Sequence, residues 1–253
     1  MGKIKDRTGE VGYNNNGEKM TIIRYGNNVD IDVQFEDGTI IEHRTYNRFK
    51  TGNIKNPMTP SVYGVGFMGI GEFKSTDENG KLTKCHKVWN DMHQRCYDPK
   101  YHEKKPTYEN CTVDEKWHDY QAFGKWFEEN YYEVEGQTMA LDKDILCKGN
   151  KVYSAETCVF VPQFINNLFV KSNKRRGKYP IGVDKHKGKF RAKLCKGDGK
   201  PISLGAYDTV EEAFQAYKQA KEAYIKEVAE EYKGKIDPRA YEALMNYEVE
   251  ITD

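Results

Sequence analysis

Asp142-Lys143-Asp144 sets two carboxylates and an ammonium on three consecutive residues, and Asn166 offers an amide oxygen further along. Carboxylate and amide oxygens are hard donors of the kind that suit Mg²⁺. Lys143, with a reference pKa of ~10.4, is a cation for phosphate rather than a base. On a strand, Asp142 and Asp144 would share one face, which makes Asp144 a second ligand or the base. Cys96, Cys111 and Cys158, joined by His86, His93 or His102, would have the donor types of a tetrahedral zinc site. No Cys-x-x-Cys pair is present, so reduced, buried thiols are favoured over zinc. The third chemistry is electrostatic. Residues 171–200 carry twelve Lys and Arg against Asp184 and Asp198, a net charge of +10, although the whole chain balances 40 basic against 39 acidic residues. Residues 97–160, with thirteen acids and eight bases, are the opposing pole at −5. Such polarity points to an anionic polymer at one end of the chain.

These groups need elements to position them. Met139-Ala-Leu-Asp-Lys-Asp-Ile-Leu146, a turn at Gly149-Asn150, Cys158-Val-Phe-Val-Pro162 and a helix opening at Gln163 read as strand, turn, strand and helix, a ββα pattern. Tyr179 to Val183, Phe190 to Leu194 and Ile202 to Tyr207 read as three strands. Alternation in the middle one sends Lys189, Arg191 and Lys193 to one face and Phe190, Ala192 and Leu194 to the other. Thr209 with Glu212 forms a capping box, and the stripe Val210, Ala213, Phe214, Tyr217, Ala220, Tyr224 and Val228 predicts a long amphipathic helix behind the sheet.

Upstream, Met20 to Tyr25 and the alternating Val29 to Phe35 predict strands, with a hairpin signal at Glu36-Asp-Gly38, and the expectation is a small β-barrel over residues 1–58. Residues 59–83 read as a Gly-rich linker. Their Gly64-Val-Gly66-Phe-Met-Gly69 matches GxGxxG without the strand and helix that dinucleotide binding requires. Val88, Trp89 and Met92 stripe one helix, and Trp117, Tyr120, Phe123 and Phe127 a second, with 96–111 between them read as loop. Residues 171–176 form a basic linker and 233–253 an acidic tail with no assigned element. The 253 residues therefore predict a multi-domain α+β chain rather than a fibrous or disordered one. The apolar run Cys158 to Val170 is short of the ~20 residues that cross a bilayer, and no secretory signal is legible, so no membrane contact and a cytoplasmic location are expected.

Two stretches resemble known families. Trp89-xx-Met92-xx-Arg95-Cys96, Cys111-xxxxx-Trp117, Leu141-Asp142-Lys143-Asp144, Asn150-xx-Tyr153-Ser154-xx-Thr157-Cys158-x-Phe160 and Asn166-Asn167 resemble phage-borne HNH-type homing endonucleases over residues 84–170. That resemblance implies a ββα-metal core that cuts or nicks duplex DNA with Mg²⁺. It would use Asp142 as metal ligand, Lys143 in the general-base His position, Thr157 in the central Asn position and Asn166 as the helix ligand. Tyr179-Pro-Ile-Gly-Val183, Gly188-Lys-Phe-Arg-Ala192, Leu204-Gly-Ala-Tyr207 and Thr209-Val-Glu-Glu-Ala213 resemble the Apetala, or ethylene-response-factor, DNA-binding domain over residues 177–232. It implies a sheet laid in the major groove, with contacts from Lys174, Arg175, Arg176, Lys178, Tyr179, Lys185, Lys187, Lys189, Arg191 and Lys193. The expected partner is double-stranded DNA, in the host cytoplasm if the chain is phage-encoded. The alternative is a catalytically inactive phage protein that uses the same modules to bind DNA or a host protein.

Overall fold

The computed structural model describes residues 5–170, 178–196 and 201–252. The fold mixes α and β, and the chain divides into two compact units, Met1–Tyr97 with Glu115–Gly124 and Asp98–Asp114 with Lys125–Asp253.

In the first unit, β1 (Val11–Tyr13), β2 (Lys19–Asn27), β3 (Asp30–Phe35) and β4 (Ile40–Arg44) form an antiparallel sheet in sequence order. Period-two alternation buries Met20, Ile22, Ile31, Val33 and Phe35 on one face. The expected barrel is corrected: the sheet is open, since β1 and β4 each pair with a single neighbour. A three-residue β1 is too short for the staggered hydrogen bonding that closes a barrel. Instead, α1 (Tyr46–Lys50), capped by Thr45, drives Phe49 into the apolar face so closely that a Cβ on Gly12 would lie 2.9 Å from the ring.

Residues 59–83 lie against the aromatic part of this unit. Gly66 sits where a Cβ would meet Trp89 at 2.9 Å, and Gly69, at φ +67, leaves no room beside Asp119. Gln121 laces the strip down, donating to the Met68 and Phe73 carbonyls and accepting from the Phe73 N–H. α2 (Lys84–Tyr97) buries Trp89, Met92, His93 and Cys96, as its stripe predicts. Trp117 falls in a single 3₁₀ turn before the next helix, and its carbonyl accepts the Trp89 indole N–H at 2.7 Å.

The second unit opens with α3 (Pro99–Lys104), which corrects the loop reading of 96–111. Asp98 caps its first turn and Pro99 takes a position where a missing N–H is harmless. β5 (Thr112–Val113) pairs in parallel with a later strand, and α4 (Tyr120–Asn130) begins in the first unit and ends in the second. β6 (Met139–Asp142) pairs antiparallel with β8 (Val159–Pro162), and β7 (Val152–Tyr153), the partner of β5, lies between them in sequence. α5 (Gln163–Asn167) follows β8 at once.

β9 (Val183–His186), β10 (Lys189–Cys195) and β11 (Pro201–Tyr207) make an antiparallel sheet in the order β11-β10-β9. Leu204 and Tyr207 both reach the core although three residues apart, because a bulge opposite Ala192/Lys193, with Gly205 at φ +133, shifts the alternation. α6 (Val210–Glu231) starts at the Thr209/Glu212 capping box and covers the sheet with Ala213, Phe214, Tyr217, Tyr224 and Val228. α7 (Pro238–Met245), inside the acidic tail, is capped by Asp237 and buries Ala240 and Leu244. Ile145, Val159, Val161 and Ile165 share one apolar core with this sheet and these helices. No helix among the described residues is long and apolar enough to cross a membrane.

Candidate functional site

β6 ends at Asp142, so Asp144 does not share a strand face with it. The cause is Asp142 itself: its Oδ1 accepts the backbone N–H groups of Asp144 (2.6 Å) and Ile145 (2.7 Å), turning the chain out of the strand. Burial pushes the Asp142 carboxyl above its ordinary range, opposed by those two donors. Lys143 is 5% exposed. Its Nζ donates to Asp144 Oδ1 at 2.6 Å and to the Asn150 carbonyl at 2.9 Å, while Asn150 Nδ2 donates back to the Lys143 and Val152 carbonyls. Thr157, the resemblance's central Asn position, donates to the Val152 carbonyl at 2.8 Å. Asn166 lies half-buried on α5.

These donors fit a loop better than a Mg²⁺ site. One Asp142 oxygen is occupied by two N–H groups, and an ammonium stands on Asp144, where a second carboxylate ligand would be needed.

On the C-terminal sheet, Val183, Ala192 and Leu194 face the core, and Asp184, Lys189, Arg191 and Lys193 are thereby turned outward. Arg191 sits directly across from Asp184 and donates to both of its oxygens, Nε to Oδ1 at 3.0 Å and Nη2 to Oδ2 at 3.1 Å. Lys193 pairs with the same carboxylate, and Lys189 with Asp208 at 3.1 Å. The Arg191 guanidinium, helped by Lys193, holds the Asp184 carboxyl down to about 2. Lys185 and Lys178 lie over the Phe190 and Tyr179 rings, and these two rings meet edge to face at 5.4 Å. Lys187 occupies the hairpin turn at φ +50, exposed. Lys174, Arg175 and Arg176 fall outside the described residues.

Two clusters escaped the reading of the sequence. Asp30, Asp32 and His43 bring three ligand atoms within 4.8 Å of one another. The Arg24 guanidinium already bridges both carboxylates, and His43 donates its backbone N–H to Asp32 and sets Nδ1 2.8 Å from Asp30. The guanidinium occupies the space between the two carboxylates, so a cation would have to displace it. The signal was there in Asp30 and Asp32 at period two, but pairing them with Arg24 and His43 needed the strand register.

The second cluster surrounds His93, which is fully buried, tilted against Trp89 with ring centroids 4.5 Å apart, and 6.1 Å from the His118 ring. Its Nδ1 meets the Trp89 carbonyl at 2.9 Å, which requires the proton on Nδ1 and leaves Nε2 as a buried lone pair with no hydrogen-bond partner. Burial lowers its pKa to about 4. Among the thiols, Cys96, Cys111 and Cys158 are buried and Cys147 and Cys195 exposed, and burial pushes Cys158 up to about 12.

Comparison with protein-family models, with curated proteins and with solved structures finds no match to this chain.

Proposed function

We propose that this chain binds double-stranded DNA through the outward face of β9, β10 and β11. The observation that carries the reading is the division of one sheet: Lys189, Arg191 and Lys193 stand outward while Ala192 and Leu194 anchor the strand on α6. A strand with cations at every second residue spaces its charges ~7 Å apart, about twice the ~3.4 Å rise per phosphate along one DNA strand. Lys178, Lys185 and Lys187 widen the positive field around it. The test is the double reversal Lys189→Glu with Arg191→Glu in the full chain, measured by fluorescence anisotropy on a labelled duplex. Binding should weaken by at least about tenfold and its salt slope should flatten, since each phosphate contact contributes ~0.9 to the log–log salt slope. Unchanged binding at moderate salt removes the assignment.

A second reading, Mg²⁺-dependent cutting or nicking of duplex DNA, draws on the order β6, β8, α5 and on Asp142 at the end of β6. It stands second because Lys143 is buried in its loop and cannot serve as base while its Nζ is held by Asp144 and Asn150. Plasmid incubated with purified protein and Mg²⁺, with and without chelator, separates the two. The inactive alternative, a protein that uses the same surface on DNA or on a host partner, gives binding without strand breaks.

A further inference from the structure

A surface built only to attract phosphate has no use for a carboxylate at its centre. Yet Asp184 lies on the outward face of the C-terminal sheet, directly opposite Arg191 in the strand register, and engages both Arg191 and Lys193. It is better enclosed than Asp208: the Asp184 side chain is 40% exposed and its partners Arg191 and Lys193 29% and 30%, against 81% for Asp208 and 55% for Lys189. Resting on the DNA-binding reading above, we propose that Asp184 is a positioning residue for specificity, holding Arg191 so that its free edge reads a guanine in the major groove and withdrawing Lys193 from general phosphate contact.

The geometry works as follows. A guanidinium has five N–H groups in one plane. Asp184 takes one from Nε and one from Nη2, which leaves both on Nη1 and one on Nη2 directed away from the carboxylate. That remaining edge is a two-donor fork, the match for the O6 and N7 acceptors of guanine. A phosphate would fit the same fork by shape but brings a second anion close to Asp184; a base edge is neutral and meets no such repulsion. The neighbourhood admits a base edge as well, because the β11 residues opposite Arg191 and Lys193 are Ala206 and Ser203, both small and exposed. Holding the side chain in place before binding also removes the entropy of ordering it on the DNA.

Selection from a random duplex pool, followed by anisotropy on the best sequence and on the unselected pool across a salt series, tests this with wild type, Asp184→Asn and Arg191→Lys, all as full chains. Wild type should enrich a fixed guanine. Asp184→Asn should bind the unselected pool more tightly, steepen the salt slope by about one, and lose about tenfold or more of the ratio between selected and unselected DNA. Arg191→Lys, which keeps the charge but not the fork, should lose the guanine preference and covers the case of a poorly folded Asp184→Asn. An unchanged salt slope and ratio in Asp184→Asn, or a guanine preference retained in Arg191→Lys, overturns the proposal while leaving DNA binding intact. Absence of any wild-type binding instead removes the underlying reading.

Discussion

Acidification should weaken the first unit at its histidines with a buried ring nitrogen, His86 and His93, and most of all at His93. Its Nδ1–H is committed to the Trp89 carbonyl, so a second proton has to enter at Nε2, a position with no acceptor inside an aromatic cluster. The groups facing it are the Tyr97 and His118 rings, and the charge of a protonated His118 disfavours it further. The folded pKa of about 4 lies below the ordinary 6.5, so the unfolded chain binds the proton first and stability falls as pH drops through 6.5 towards 4. Linkage across that window gives a loss of about 1 kcal/mol near pH 5.5 and about 2 kcal/mol near pH 4.5, relative to neutral pH. Above the ordinary His range the contribution is complete. Urea midpoints followed by tryptophan fluorescence at these pH values, for wild type and His93→Asn, give the measurement. Trp89, in ring contact with His93, reports the transition. Carboxylate titrations are common to both proteins and cancel in the difference. If the two lose the same stability between neutral and acid pH, the argument from the buried lone pair fails.

Asp142→Ala should destabilise the second unit by about 1–3 kcal/mol, because the N–H groups of Asp144 and Ile145 lose their acceptor; an unaltered melting temperature would count against the capping role. In the native protein at mildly alkaline pH, a thiol reagent should label Cys147 and Cys195 rapidly and Cys96, Cys111 and Cys158 only on unfolding, readable by mass spectrometry; fast labelling of Cys158 contradicts its burial.

Local chemistry was enough to place most elements of the second unit. Thr209 and Glu212 start α6 because a side-chain oxygen and a carboxylate satisfy the orphan N–H groups of a first turn, and the Ala213-to-Val228 stripe then needs only the 3.6-residue period. The outward cations of β10 follow from alternation, whereas β6 and β8 are legible only as short apolar runs, every residue of β8 being buried. The helices at 99–104 and 238–245 were legible too: Asp98-Pro99 and Asp237-Pro238 are cap and first-turn residues, but proline read as a breaker hides them. What the residues alone could not decide was pairing. Whether four strands close or stay open depends on which edge finds a partner, and here Phe49 packs against β1 at Gly12 while the sheet stays open. Asp142 read alone is a metal ligand; with Asp144 and Ile145 folded back on it, the same carboxylate is a turn cap. The Asp184–Arg191 clamp, the Arg24 network and the unpaired nitrogen of His93 each join residues brought together by strand register or helix packing, and charge and burial at that range are set by tertiary contacts alone.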